Sequence, residues 1–253
     1  MTSAPPSIRV GIGGWDYDPW RGTFYPDKLP KTKQLAHASR RVTAIEINAT
    51  FYKLQKPELF ERWAADVPEG FKFAIKGSRF CSNRKVLAGA GEAVERFCGQ
   101  GFPRLGDKLG PILWQFAATK KFEADDFAAF LALLPREADG LPLRHAVEVR
   151  HESFADPRFA DMAREANVAI CVSDEEGAPE LPEDTADFVY ARMKSAREEE
   201  PEGYAPAELD AFAARARGWA EGGREVYLFM INGAKVRAPA AAEAVIGRLG
   251  GRE

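Results

Sequence analysis

The chain has 253 residues, 45% of them hydrophobic and 29% charged, with a formal net charge of −3 at pH 7, which is ordinary globular composition and enough to bury a full core as one domain. That charge excludes long-range attraction to nucleic acid or to an anionic membrane, so any anion must be drawn by a local cluster of cations. No apolar run approaches the roughly 18 residues of a membrane span. Met1–Ser7 lacks the charged start and apolar stretch of a secretory signal, and Cys81, Cys98 and Cys171 are scattered without metal-ligand spacing, so reduced thiols and a cytoplasmic location are expected.

In chain order, eight short apolar runs read as strands: Ile8–Ile12, Ala44–Ile47, Lys72–Ile75, Pro111–Phe116, His145–Val149, Ala169–Val172, Phe188–Ala191 and Glu225–Ile231. Helical periodicity fills the intervals at Lys33–Arg41, Pro57–Ala65, Glu92–Cys98, Asp125–Leu134, Asp156–Ala166, Pro206–Ala220 and Pro239–Leu249. Pro57, Pro206 and Pro239 fall near helix starts, where a missing N–H costs nothing. Only Glu175–Asp187, after the sixth strand, reads as an irregular segment. Strands alternating with helices predict a parallel α/β sheet, and eight repeats predict closure into a single TIM-type (β/α)8 barrel over residues 8–249, with flexible termini at 1–7 and 250–253.

In such barrels the reactive groups lie at the carboxyl ends of the strands. Those ends here are Gly13-Gly14-Trp15, Glu46 with Asn48, Lys76, Gln115, Glu148 with Arg150 and His151, Asp174, Arg192 and Asn232. Along the fifth strand Ala146, Glu148 and Arg150 share one face and Val147, Val149 and His151 the other. Opposite charges on one face of a buried strand mean either a structural ion pair or a polar site. Glu46 and Asn48 share a face in the same way, so both glutamates are expected to aim into the barrel mouth.

Two carboxylates facing one substrate can divide acid and base roles, and separations of roughly 5–9.5 Å serve glycosidic-type chemistry. The alternative is a polar plug in which Glu148 pairs with Arg150 or Lys76 and Glu46 with another cation. His151 is the one histidine at a strand end and could act as a general base near neutral pH, although its frame matches the outward Val147 and Val149. One suitable histidine is too few for a zinc cluster, and a single magnesium or manganese on Glu46, Glu148 and Asp174 is the only metal arrangement left open, so neither metal nor cofactor is expected. Lys76, Arg79, Arg84, Arg150, Arg192, Lys194, Lys235 and Arg237 end or follow strands on the same face and suggest an anionic ligand. Interleaved Trp15, Tyr17, Trp20, Phe24, Tyr25, Phe51, Tyr52 and Trp114 could stack a sugar or nucleobase, or pack under a lid. Gly11-Ile12-Gly13-Gly14 lacks the third spaced glycine of a dinucleotide fingerprint, no Walker loop or Gly-x-Ser-x-Gly elbow is present, and Cys81 reads as a structural thiol.

Five motifs, Gly13-Gly14-Trp15, Trp20-Arg21-Gly22-Thr23-Phe24-Tyr25-Pro26, Glu46-Ile47-Asn48-Ala49-Thr50-Phe51-Tyr52, Phe71-Lys72-Phe73-Ala74-Ile75-Lys76 and Glu148-Val149-Arg150-His151, together resemble the YecE-like family, domain of unknown function 72, from about Ile8 to Leu249. The resemblance implies a TIM-type barrel and no settled reaction. It places Trp15, Glu46, Asn48, Tyr52, Lys76, Gln115, Glu148, Arg150, His151, Asp174, Arg192 and Asn232 at motif positions. The chain departs from the common pattern with Ser82-Asn83 for a frequent Thr-His, Met193-Lys194-Ser195 for the end of Arg-x-His-Gly, Asn232-Gly233 for Asn-Asp, and Ala241 for an asparagine. This puts in question any mechanism built on those histidines.

The expectation is therefore a hydrolase or lyase acting on an anionic phosphate-, sugar- or nucleotide-like substrate. Glu46 and Glu148 would be the acid/base pair and His151 a further catalytic candidate. Lys76, Arg150 and Arg192 would steady negative charge, Asn48, Gln115, Asp174 and Asn232 would orient the ligand, and Trp15 and Tyr52 would stack on it. Redox chemistry fits less well, since no cofactor motif is present. The alternative is a non-catalytic binder of nucleic acid or a phosphorylated metabolite through the same rim. Neither reading carries a sign of oligomeric state.

Overall fold

The computed structural model describes residues 8–231 and 233–251. All eight expected strands form: β1 (Ile8–Gly13), β2 (Ala44–Ile47), β3 (Lys72–Lys76), β4 (Leu109–Gln115), β5 (His145–Glu148), β6 in two pieces (Val168–Ile170 and Val172–Ser173), β7 (Phe188–Met193) and β8 (Glu225–Met230). Every pairing among them is parallel, each strand lies beside its sequence neighbours, and β1 also pairs β8. The break in β6 joins the two edges of the sheet. Its first piece pairs β5 (Val147 opposite Ile170), its second pairs β7 (Ala191 opposite Val172), and the Cys171 N–H donates to the Val147 carbonyl at 2.8 Å. The result is the expected TIM-type barrel.

Outside the ring lie α1 (Lys31–Ala38), α2 (Pro57–Asp66), α3 (Gly91–Cys98), α4 (Ala124–Leu133), α5 (Pro157–Glu165), α6 (Pro206–Ala220) and α7 (Ala238–Arg248). The stretch after β6 holds no helix until β7 begins, as its Pro, Gly and acidic content implies. Short elements are additional, among them a helix at Ala49–Tyr52, another at Arg79–Ser82, a 3-10 turn at Glu152–Ala155 and a hairpin of Glu137–Ala138 with Leu141–Pro142. The expected flexible ends fall mostly on residues 1–7 and 252–253, outside the described residues. Among those described, no helix is long and apolar enough to cross a membrane.

The strand period of two divides the apolar side chains into two cores. Outward residues such as Ile12, Ile45, Ile75, Trp114, Val147 and Leu228 pack under the helices with Phe60, Phe97, Phe130, Phe159 and Val245. Inward residues form a separate cluster in which small Ala44, Ala74, Ala146 and Ala169 face bulky Phe188, Tyr190, Tyr227 and Phe229. That pairing of small with large fills the ring, and each buried aromatic contributes roughly 1.5–3 kcal/mol. Gly11 belongs to the same fit: a Cβ there would lie 2.2 Å from the Ala44 carbonyl oxygen and 3.0 Å from the Phe229 ring. The glycine run of β1 thus answers to close strand approach rather than to a nucleotide. Charged side chains occupy the ring above and below this apolar layer.

Candidate active site

The mouth is built by the inward frame of each strand. On β7 that frame runs Phe188, Tyr190, Arg192, and continues to Lys194 beyond the strand end. Tyr190 OH donates to Glu46 Oε2 at 2.7 Å, Arg192 Nη2 donates to Glu46 Oε1 at 3.0 Å, and Arg192 Nε lies 3.0 Å from Glu46 Oε2. The other guanidinium nitrogen, Nη1, donates to Glu148 Oε2. Glu148 Oε1 also accepts from Lys194 Nζ and, at 2.9 Å, from Gln115 Nε2, and Lys194 Nζ reaches Glu175 Oε2 at 2.8 Å. Glu46, Glu148 and Arg192 are each at most 1% exposed. Two glutamates from β2 and β5 therefore meet across one guanidinium.

This arrangement corrects the paired-carboxylate expectation. Glycosidic-type chemistry needs a substrate between the two carboxylates, and here Arg192 fills that gap. Burial alone would raise the Glu148 carboxyl, but Arg192 and Lys194 outweigh it and hold the group well below the usual carboxylate range. A carboxylate so held neither donates nor collects a proton readily. Burial, with Glu46 adding to it, pushes the Tyr190 phenol well above its ordinary value, so it serves as a hydrogen-bond donor. Of the partners expected in the polar-plug alternative, Arg150 is an ion-pair neighbour of Glu148, its Nε 4.0 Å from Oε1 and beyond hydrogen-bond range, whereas Arg192 and Lys194 hold Glu148 closely and Lys76 is not paired with it among the described residues.

Lys76 differs from the groups around it. Inward on β3 and 9% exposed, it is held from behind, where Thr50 Oγ1 donates to its carbonyl at 2.7 Å. Its ammonium lies 4.5 Å from the Phe51 ring centroid. Among the described residues no carboxylate pairs with Nζ. Burial, with Arg192 second, lowers its pKa to about 8 against a partial opposing pull from Glu46 and Glu148. Arg150, whose charge also acts on Lys76, has its Nε buried with no hydrogen-bond partner among the described residues and 4.0 Å from Glu148 Oε1.

The sequence pattern of a family described as a protein of unknown function, DUF72, matches residues 9–253. The chain belongs to the DUF72 family. It is 27% identical over 158 residues to the UPF0759 protein YunF of Bacillus subtilis, covering 60% of this chain and 54% of that protein. To the UPF0759 protein YecE of Escherichia coli K12 it is 29% identical over 150 residues, 58% and 50% of the two chains. The match thus spans about half the length of these curated relatives. A crystal structure of a DUF72 family protein from Thermotoga maritima aligns with a TM-score of 0.76 at 22% identity, over 96% of this chain and 98% of that one, a likeness of fold.

At the positions where the sequence departs from the expected motifs, Lys194 sets an ammonium between Glu148 and Glu175. Gly233 has φ of +76°, and a Cβ there would lie 2.2 Å from the Ala196 carbonyl oxygen, so an aspartate does not fit this backbone. Ser82 is buried with its hydroxyl unpartnered, and Ala241 is fully buried in α7.

Several expected site residues are placed otherwise than expected. His151 Nδ1 accepts from the Ser153 N–H at 3.1 Å and caps the 3-10 turn at Glu152–Ala155, with no bond to either glutamate. The Asp174 carboxylate accepts from the Lys194 and Ser195 N–H groups and from Tyr204 OH at 2.9 Å, which fixes the β7 exit. Glu46, Glu148 and Asp174 therefore do not converge on a common point, and no group of three or more metal-ligating side chains occurs among the described residues. Trp15 packs outward, edge-on to Trp63 at 5.2 Å, whereas Tyr52 is 61% exposed. Asn48 lies against Gly13, where a Cβ would come 3.0 Å from its Nδ2. Asn232 lies outside the described residues. Cys81 is buried and its thiol is pushed up to about 12 by that burial, which suits a structural role. Tyr190, Glu175 and Thr50 were not expected at the site; continuing the alternation of β7 backward from Arg192 would have found Tyr190.

Proposed function

We propose that the chain is an enzyme of the hydrolase or lyase kind, acting on an anionic phosphate-, sugar- or nucleotide-like small molecule at the carboxyl end of the barrel. Lys76 is the group that exchanges a proton with the substrate, in place of the glutamate pair, which serves as a fixed counter-charge for Arg192 and Lys194. The observation that carries this reading is Lys76 itself, an amine nine-tenths buried at the mouth and, among the described residues, without a carboxylate partner. Leaving a cation so buried is costly, and a bound anion would supply the missing partner. An amine with a pKa of about 8 is suited to proton transfer near neutral pH.

The test is a thermal-shift screen of phosphates, carboxylates, sugar phosphates and nucleotides, followed by turnover assays on whatever binds. Lys76→Met should abolish turnover and weaken anion binding, while Glu148→Gln, if it folds, should bind. Anion binding that is indifferent to Lys76 would sink this reading. A second reading, a non-catalytic binder of nucleic acid or of a phosphorylated metabolite, draws on a cleft of about 470 Å³ between the loops after β3 and β4, lined by Arg84, Lys85, Lys120 and Lys121. Phe80 and Tyr52, in the one-turn helices that follow β3 and β2, are exposed. It predicts binding that depends on Lys85 and Lys121 rather than on Lys76. Unpaired Cys81, Cys98 and Cys171 support placing the protein in the cytoplasm.

A further inference from the structure

Lys76 is surrounded by more than a charge clamp needs. A lysine meant to stay protonated is best set among carboxylates, yet the carboxylates that act on it, Glu46 and Glu148, are already bound to Arg192 and Lys194. The cations Arg192 and Arg150 both act on Lys76, adding to the effect of burial, and the Phe51 ring covers one side of its ammonium. Desolvation beside other cations is how a lysine amine is made nucleophilic. With a pKa of about 8, about a tenth of the amine is neutral at pH 7, against well under a thousandth for an ordinary lysine. Arg150, one-third exposed and with its buried Nε unpartnered, stands ready for a carboxylate or phosphate oxygen.

We propose that Lys76 forms an imine with the carbonyl carbon of an aldehyde or ketone carrying a carboxylate or phosphate group, which Arg150 holds. This rests on the anionic-substrate reading above and narrows it to a lyase. The nitrogen lone pair attacks the carbonyl carbon while the C=O π electrons move to oxygen. A proton passes from nitrogen to that oxygen to give a carbinolamine, and loss of water leaves the C=N bond. Amine and carbonyl thus become imine and water with no oxidant or reductant. When protonated, the imine keeps the positive charge that Glu46 and Glu148 already act on.

The experiment incubates the full chain with pyruvate or with glyceraldehyde 3-phosphate and sodium cyanoborohydride, and maps adducts by peptide mass spectrometry. The expected result is one dominant adduct on Lys76, its rate rising with a midpoint near pH 8 and lost in Lys76→Arg. Arg150→Gln should raise the half-saturating probe concentration about 10- to 100-fold, the loss of one charge-assisted hydrogen bond, while leaving the adduct site unchanged. The two probes separate a carboxylate from a phosphate ligand. Adducts spread over surface lysines at equal rates would overturn the imine. If anions still shield Lys76 from an amine-acylating reagent in that case, the anion site survives and only the imine falls; without such shielding both fall.

Discussion

The two ends of the barrel carry the same kinds of side chain and satisfy them differently. At the amino end Arg9 bonds Glu225 at 2.7 Å and the Gly70 carbonyl at 2.5 Å. Arg144 bonds Glu225 and Tyr227 OH, each at 2.7 Å, and lies over the Phe188 ring, and Lys72 reaches the Asp107 carbonyl. Each cation there has an acceptor, and that end is a structural plug. At the carboxyl end Arg192 and Lys194 each have two carboxylate partners, although Arg192 Nε, like Arg150 Nε, makes no hydrogen bond among the described residues, and Lys76 Nζ has no carboxylate partner among them. Charge in a barrel therefore does not by itself mark a site; a buried cation with no carboxylate partner among the described residues is the feature that separates the two ends.

The largest loss of stability is expected at Arg192. Arg192→Met leaves Glu46 and Glu148 buried without their shared cation and should cost on the order of 3–5 kcal/mol, read as a fall in urea midpoint. Arg9→Met should cost less, because Glu225 keeps Arg144 and part of its contact with solvent. The pH dependence has the matching sign. Glu148 has its folded pKa depressed, so its contribution is present above the ordinary carboxyl range and is lost as pH falls through and below it. Glu148→Gln should flatten the acid limb of a stability-against-pH curve. Equal losses for Arg192→Met and Arg9→Met would erase the distinction in strength between the two plugs.

Lys76→Met should act in the opposite sense. Its folded pKa, about 8, lies below the ordinary 10.5, so burying it costs stability below pH 8, and the cost fades as pH rises toward 10.5. Replacing it with methionine should therefore stabilise the fold at pH 7 by roughly 1–3 kcal/mol, with the gain vanishing in alkaline buffer, while turnover is lost. Stability surrendered at a functional group is the expected trade. Lys72 also has its pKa lowered by burial, but Lys72→Met would forfeit the bond to Asp107 and should stabilise little or not at all. A comparable gain at both lysines would mean that Lys76 is no more exceptional than a half-buried surface cation.

The pattern of elements was legible because strands of period two and helices of 3.6 leave separate traces over several residues. One-turn pieces such as Ala49–Tyr52 leave none, although this one positions Thr50 and Phe51 around Lys76. The convergence of Glu46, Lys76, Glu148 and Arg192 followed from strand frame and strand end. Which charge would take which partner did not, because it depends on how far a long side chain reaches across the ring. Arg192 spans from Glu46 to Glu148, and Lys194 beats Arg150 to Glu148 from a place just past the end of β7. For Trp15, the strand frame ended at Gly13, and the positive φ of +75° at Gly14 redirects the chain so that the ring packs outward.

The smallest expected effect concerns His151, the residue whose sequence position most resembled that of a general base. Its Nδ1 accepts from the Ser153 N–H and stands 3.0 Å from Ser153 Oγ, while Ser153 Oγ in turn accepts from the Phe122 N–H at 2.8 Å. The ring thereby ties the loop after β5 to the loop after β4 and caps the turn that follows. His151→Ala should cost about 1 kcal/mol, the usual value of a lost N-cap, and His151→Asn, which can cap equally well, should restore it. Neither substitution should move the midpoint near pH 8 assigned to Lys76. Turnover lost in both variants with anion binding kept would return the proton-transfer role to His151 and leave Lys76 as a clamp.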